Sequence, residues 1–249
     1  MTPASSDLQA AASHLAPAGR LRAAINFGNP VLAQKDAATG EPCGVSVDLA
    51  RALGERLGVP VDLVTFDAAG KVFEALKTHA WDLAFLAIDP VRAAEIAFTA
   101  PYVIIEGTYL VRAESPFRAV DELDRDGVRI AVGRGAAYDL FLSRALKQAQ
   151  IVRADTSAAA IDLFLAGGLE AAAGVRQPLS AVARAQPGLR VIDGRFTAIE
   201  QAMGLPRSRA AGLLYLRAFI EEMKASGFVA AALARSGQGD AAVAPAAGD

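Results

Sequence analysis

The sequence predicts an α/β protein made of two similar units that face each other across a cleft. Three observations predict it. Residues 21–88 alternate short apolar runs with helix-periodic stretches in the order β-α-β-α-β. The same rhythm starts afresh at residue 128. Two further apolar stretches, near Tyr109 and at 199–205, join the units. A mainly parallel sheet flanked by helices follows for each unit, with a crevice at the carboxyl ends of the strands.

In the first unit, 21–25 is a strand that enters the loop Asn26-Phe27-Gly28-Asn29-Pro30. Residues 44–57 form a helix with Val47, Ala50, Leu53 and Leu57 on one face; Gly58 is its left-handed cap, and Pro60 prevents continuation. Residues 61–66 form the second strand, and 71–79 a helix burying Val72, Ala75 and Leu76. Residues 83–88 have no polar face, as a strand covered on both sides requires, and this places Phe85 in the core. Asp89 is an N-cap and Pro90 the first residue of a short helix.

A crossing strand is expected at 109–111. In the second unit, 128–132 is a strand running into Gly133-Arg134-Gly135, and 137–147 a helix burying Leu140, Phe141 and Ala145. Residues 151–153 form a strand, Thr156 caps a helix ending near Gly167, and 170–174 is another strand. Pro178 opens a helix and 190–192 closes the unit. The chain crosses back at 199–205, and helices at 210–226 and 228–235 end the fold, separated by Gly227. The expected boundaries are 20–110 plus 201–236 for lobe 1 and 111–200 for lobe 2, with 1–19 and 237–249 as flexible tails. The crossings near Tyr109 and Gln201 are the hinge candidates.

Composition narrows the function. The chain has 249 residues, 53% hydrophobic and 21% charged, with a formal net charge of −2. That balance points to neither nucleic acid nor an acidic membrane as partner. No apolar run is long enough for membrane insertion. Cys43 is the sole cysteine and His14 and His79 are the only histidines, so no metal site of ordinary His/Cys spacing can be drawn and no cofactor is implied. The first twenty residues lack the basic leader and unbroken apolar segment of a secretory signal. No nucleophile–base pair or phosphate loop appears.

One residue is electrostatically out of place. Arg92 lies in the first turn of the helix after Pro90, where a cation opposes the positive end of the helix dipole. Either it turns to solvent or pairs with Asp89 or Glu95, or it helps to hold an anion.

Four segments in order carry a resemblance: GVSVDLA at 44–50, RAAEIAFTAPY at 92–102, VRIAVGRG at 128–135, and Met203-Gly204-Leu205. Over residues 20–236 the chain resembles the family 3 extracellular solute-binding proteins, which serve ABC importers and have the two-lobed type II periplasmic-binding-protein fold. The resemblance implies a monomer that closes on a small anionic or zwitterionic ligand, with an ABC transporter membrane subunit as partner. It also implies a periplasmic location, at odds with the missing leader.

For the site, the resemblance implies that Arg92 clamps a ligand carboxylate. Asn26, Phe27 and Asn29 lie in the loop that closes over the ligand. Ala87 and Ile88 offer backbone groups where family members have polar side chains, and Gly135, Ala136 and Ala137 offer N–H groups in the second lobe. Tyr138 follows them, with an inward hydrophobic role as the alternative. At Val175-Arg176 amino-acid binders carry an acid for the α-ammonium, which is absent here. With Arg176 in the cleft, two arginines suit a dianion or a keto or hydroxy acid; with it outside, it means nothing for binding. Glu106 or Asp89 could supply the missing negative charge from another direction. Two other readings stay open: a cyclohexadienyl-dehydratase-like enzyme with Glu106 as proton donor, and a cytosolic ligand sensor.

Overall fold

The structure, a computed structural model, describes residues 5–248. Helix α1 (Ser5–Leu15) precedes strand β1 (Leu21–Asn26) and a small hairpin of β2 (Gln34–Lys35) and β3 (Pro42–Cys43). Then come α2 (Val45–Leu57), β4 (Val61–Phe66), α3 (Ala69–Glu74), β5 (Leu83–Ala87), α4 (Pro90–Ala93) and the long β6 (Ile96–Arg112). The second lobe holds β7 (Arg129–Gly133), α5 (Ala137–Ala145), β8 (Gln150–Ala154), α6 (Ser157–Leu165), β9 (Ala171–Val175), α7 (Arg176–Ala185) and β10 (Leu189–Val191). The chain returns through β11 (Thr197–Pro206) and ends with α8 (Leu213–Ala225), α9 (Phe228–Arg235) and β12 (Ala242–Val243).

The strands form one sheet in the order β4-β1-β5-β11-β6-β9-β7-β8. β4, β1 and β5 run parallel, as do β9, β7 and β8; β11 and β6 join the two sets by antiparallel pairing. Alternate residues of a strand face opposite sides of the sheet, so where helices cover both sides, as over β5, every residue is apolar. In β5, Leu83, Phe85 and Ala87 enter the main core, while Ala84 and Leu86 enter a second cluster under α3 with the buried Trp81. In β7, Ile130 and Val132 face the main core, and Ala131 packs toward α6.

Several expectations are corrected. The crossing at 109–111 is the end of a strand that begins at Ile96. Pro101, Thr99 and Glu106 interrupt its apolar pattern, and the register shifts opposite Pro101, which lets a residue without an N–H sit in the ladder. From Ile96 to Gly107 β6 pairs with β11, whereas Gly107–Leu110 pairs with β9, so the strand belongs to both lobes. The helix expected at 71–79 is α3 followed by a 3-10 turn, Ala75–Thr78, and α7 begins two residues before Pro178.

The expected N-terminal tail contains α1, whose Ala11 and Leu15 are buried one turn apart while Gln9 and His14 face solvent. Leu15 sits so close to Gly212 that a Cβ there would lie 2.7 Å from its methyl group. At the other end β12 pairs with Val103 and Ile104, and Ala241 and Ala244 are buried. Tail residues 1–4 and 249 lie outside the described residues.

Candidate binding site

The site is built at the carboxyl end of β5. Asp89 caps α4 by accepting a hydrogen bond from Val91 N (2.9 Å), and its other oxygen pairs with Arg144 across the lobes at 2.7 Å. The short helix turns Arg92 inward, where it is 1% exposed. Its guanidinium donates to the carbonyl of Ala87 (3.1 Å) and, from the first lobe to the second, to the carbonyl of Gly135 (2.8 Å). Its Nε has no partner among the described residues. Burial pulls the Arg92 pKa down to about 10, against the pull of the nearby Asp89 charge. Asp89 is already engaged, and among the described residues no carboxylate lies within ion-pairing distance of Arg92.

The lobes touch at two glycines. Gly135 has φ 68°, and a Cβ on it would lie 2.8 Å from Gly70 Cα; a Cβ on Gly70 would lie 2.9 Å from the Arg134 carbonyl. Gly70→Val is therefore expected to hold the lobes apart, leaving each lobe folded. Small-angle scattering should give a larger radius of gyration than the parent chain, and ligand affinity should fall. An unchanged radius would show that this contact does not limit approach.

Beside Arg92 lies a cavity of about 40 Å³ lined by residues that include Asn26, Asn29, Ala87, Ala136, Ala137, Tyr138, Ser157 and Gln201. A second cavity of about 330 Å³ shares Gly28, Tyr138, Ser157 and Val175 with it, and adds Phe27, Ile161 and Leu179. A third, about 660 Å³, is lined by residues that include Glu106, Arg176, Arg195 and Asp240.

The sequence matches the bacterial extracellular solute-binding proteins, family 3, over residues 21–237. The chain belongs to this family. Solved family 3-like structures share its fold. A P235GK mutant of the arginine-binding protein of T. maritima has 23% identity and a TM-score of 0.77, covering 90% of this chain and 98% of that one. The L-cysteine solute receptor of Neisseria gonorrhoeae has 23% identity and a TM-score of 0.78, over 92% and 93%. An ancestral amino-acid-binding protein described as a precursor of cyclohexadienyl dehydratase has 23% identity and a TM-score of 0.74, over 90% and 97%.

Within this solute-binding protein, Arg92, Ala87, Asn26, Asn29, Ala136, Ala137 and Tyr138 come together on one cavity. Asn26 Oδ1 is occupied by Gly28 N (2.9 Å), whereas Asn29 Oδ1 is buried and unpartnered among the described residues. Of the three expected N–H groups, that of Gly135 binds Asp139 (2.8 Å) and that of Ala136 binds the Gly133 carbonyl (3.1 Å), which leaves Ala137. Tyr138 reaches the cavity and donates from its hydroxyl to Ser157 Oγ (2.8 Å). Phe27 and Val175 line the apolar cavity, and Val175 the small one as well.

Other expected residues lie elsewhere. Ile88 donates its N–H to Glu200 O (2.9 Å) and holds its side chain at the surface. Arg176 is tied to Glu106 at 2.6 Å and to the Gly194 carbonyl, in the third cavity, so it is not a second cation beside Arg92. Glu106 also pairs with Arg195 at 3.0 Å. The hydrogen bond from Arg176 holds the Glu106 carboxyl below its ordinary value, so it stays ionised at neutral pH and is a poor proton donor. Asp89, bound to Val91 N and Arg144, is not available to an ammonium group. Ser157 and Gln201 are lining residues that the pattern reading missed. Thr156 accepts from Ala159 N as a cap, and a residue just after a cap at the carboxyl end of β8 faces the cleft, which was the signal for Ser157.

Proposed function

We propose that this family 3 protein captures a small organic carboxylate between its lobes, with Arg92 receiving the carboxylate, for delivery to an ABC-type importer. The observation that carries this reading is a fully buried guanidinium with a free Nε and no acidic partner among the described residues. A buried cation of that kind is unfavourable alone and becomes favourable when an anion with matching hydrogen bonds joins it. The named relatives that bind arginine and cysteine bind molecules with the same carboxylate group. The site's position between lobes joined by two long strands suits capture by closure rather than chemistry.

A thermal-shift panel of amino, hydroxy, oxo and dicarboxylic acids tests it. A true ligand at about a hundred times its dissociation constant adds roughly 2.7 kcal/mol of stability. A panel in which no carboxylate raises the melting temperature would remove the reading.

A further inference from the structure

We propose that the preferred ligand is an apolar 2-hydroxy carboxylate, with a hydroxyl where an amino acid carries its ammonium group. This rests on the reading above that Arg92 holds a carboxylate. Two buried atoms on the small cavity lack partners among the described residues: Arg92 Nε, which can only donate, and Asn29 Oδ1, which can only accept. Both residues line the same small cavity, so one ligand that brings an acceptor and a donor could serve both. A carboxylate accepts from Nε, and a 2-hydroxyl donates to the Asn29 carbonyl. A 2-oxo acid has no donor for Oδ1 and fits only with the Asn29 amide turned over to present its Nδ2.

An ammonium group would also donate to Asn29, but it brings a charge that nothing balances. Among the described residues, no acid lines the small cavity. The adjoining cavity has one among the described residues, Asp67, and it is exposed and paired with Lys71 at 2.8 Å. With the carboxylate neutralising Arg92, an amino acid would leave a net positive charge buried against a neutral amide. The third arginine-rich region does not alter this, since Arg176 and Arg195 face Glu106 there. The ligand body is set by the 330 Å³ cavity, whose walls are Phe27, Ile161, Val175, Leu179, Ala173 and Pro178. They offer an aromatic or branched aliphatic group apolar contact, and the one charged residue among the lining, Asp67, is already paired with Lys71.

The test is calorimetric titration of the full chain with matched sets: 2-hydroxy, 2-amino and 2-oxo-4-methylpentanoate, and the same three derivatives of 3-phenylpropanoate. The hydroxy acid should bind tightest in each set, at least about tenfold over the amino acid. Asn29→Asp should reverse the order by supplying the missing negative charge. An amino acid that matches or beats its hydroxy partner in the parent chain overturns this inference while leaving the carboxylate reading intact. Binding confined to amino acids with charged side chains does the same. If no carboxylate of any kind binds, the reading of Arg92 fails together with this inference.

Discussion

Arg92→Met is expected to abolish the ligand-dependent rise in melting temperature and to leave the ligand-free melt close to that of the parent. A fully desolvated cation facing an anion contributes about 2–5 kcal/mol to affinity when truncated, a loss of at least about thirtyfold. Stability responds differently because, among the described residues, no acid lies within ion-pairing distance of the guanidinium. Removing a buried charge is stabilising, and methionine fills similar space; losing the hydrogen bonds to Ala87 and Gly135 opposes this. The two terms offset to within about 2 kcal/mol. Arg92→Lys keeps the charge without the planar fork and should fall between the two. Thermal melts with and without a carboxylate distinguish these outcomes; a methionine variant that retains the full shift removes Arg92 from the site.

Asp82→Ala is expected to do the reverse, lowering stability while leaving ligand affinity unchanged. Asp82 is 1% exposed just ahead of β5, at the end of the strand remote from Arg92. Its carboxylate accepts from Arg22 Nε (2.9 Å) and NH2 (2.8 Å) and from Arg209, pinning β1 to the segment where the chain rejoins the first lobe. Burial pushes its carboxyl up, and the hydrogen bonds from Arg22 and Arg209 outweigh this, so it titrates below the ordinary 3.8. Both arginines are partly solvated, which limits the loss to about 2–3 kcal/mol, or a fall of roughly 4–12 °C. Because the native value is the lower one, this stabilisation is complete above the unfolded-state value and disappears as pH falls through the native one. The variant should therefore lose its deficit relative to the parent in acid. A deficit that stays constant down to pH 2 would contradict the assignment.

The fold was legible where pattern and packing agree. β5 and the middles of β1 and β7 announce themselves because both faces are covered there and no residue needs to be polar. The Asp89-Pro90 helix start was legible from capping chemistry alone, and the misplaced cation in its first turn is the one the fold buries beside the candidate cavity. Long-range pairing was not legible. Arg176 meets Glu106 across seventy positions of sequence, and only the folded arrangement shows that their charges cancel. The first half of β6 stayed hidden because Pro101 and polar residues break its period while β11 supplies the register. Likewise, nothing in the run Asn26-Phe27-Gly28-Asn29 says which asparagine is satisfied locally; Gly28 N–H takes one and leaves the other facing Arg92's cavity.

The central claim is that a buried guanidinium, ion-paired to no acid among the described residues, holds the ligand through a negative charge. Calorimetry with a carboxylate that binds the chain and with its primary amide, equal in shape and neutral, bears on this most directly. The account predicts that the acid binds at least about thirtyfold more tightly to the parent chain and that Arg92→Met erases the difference. Equal affinities for acid and amide in the parent chain would contradict it.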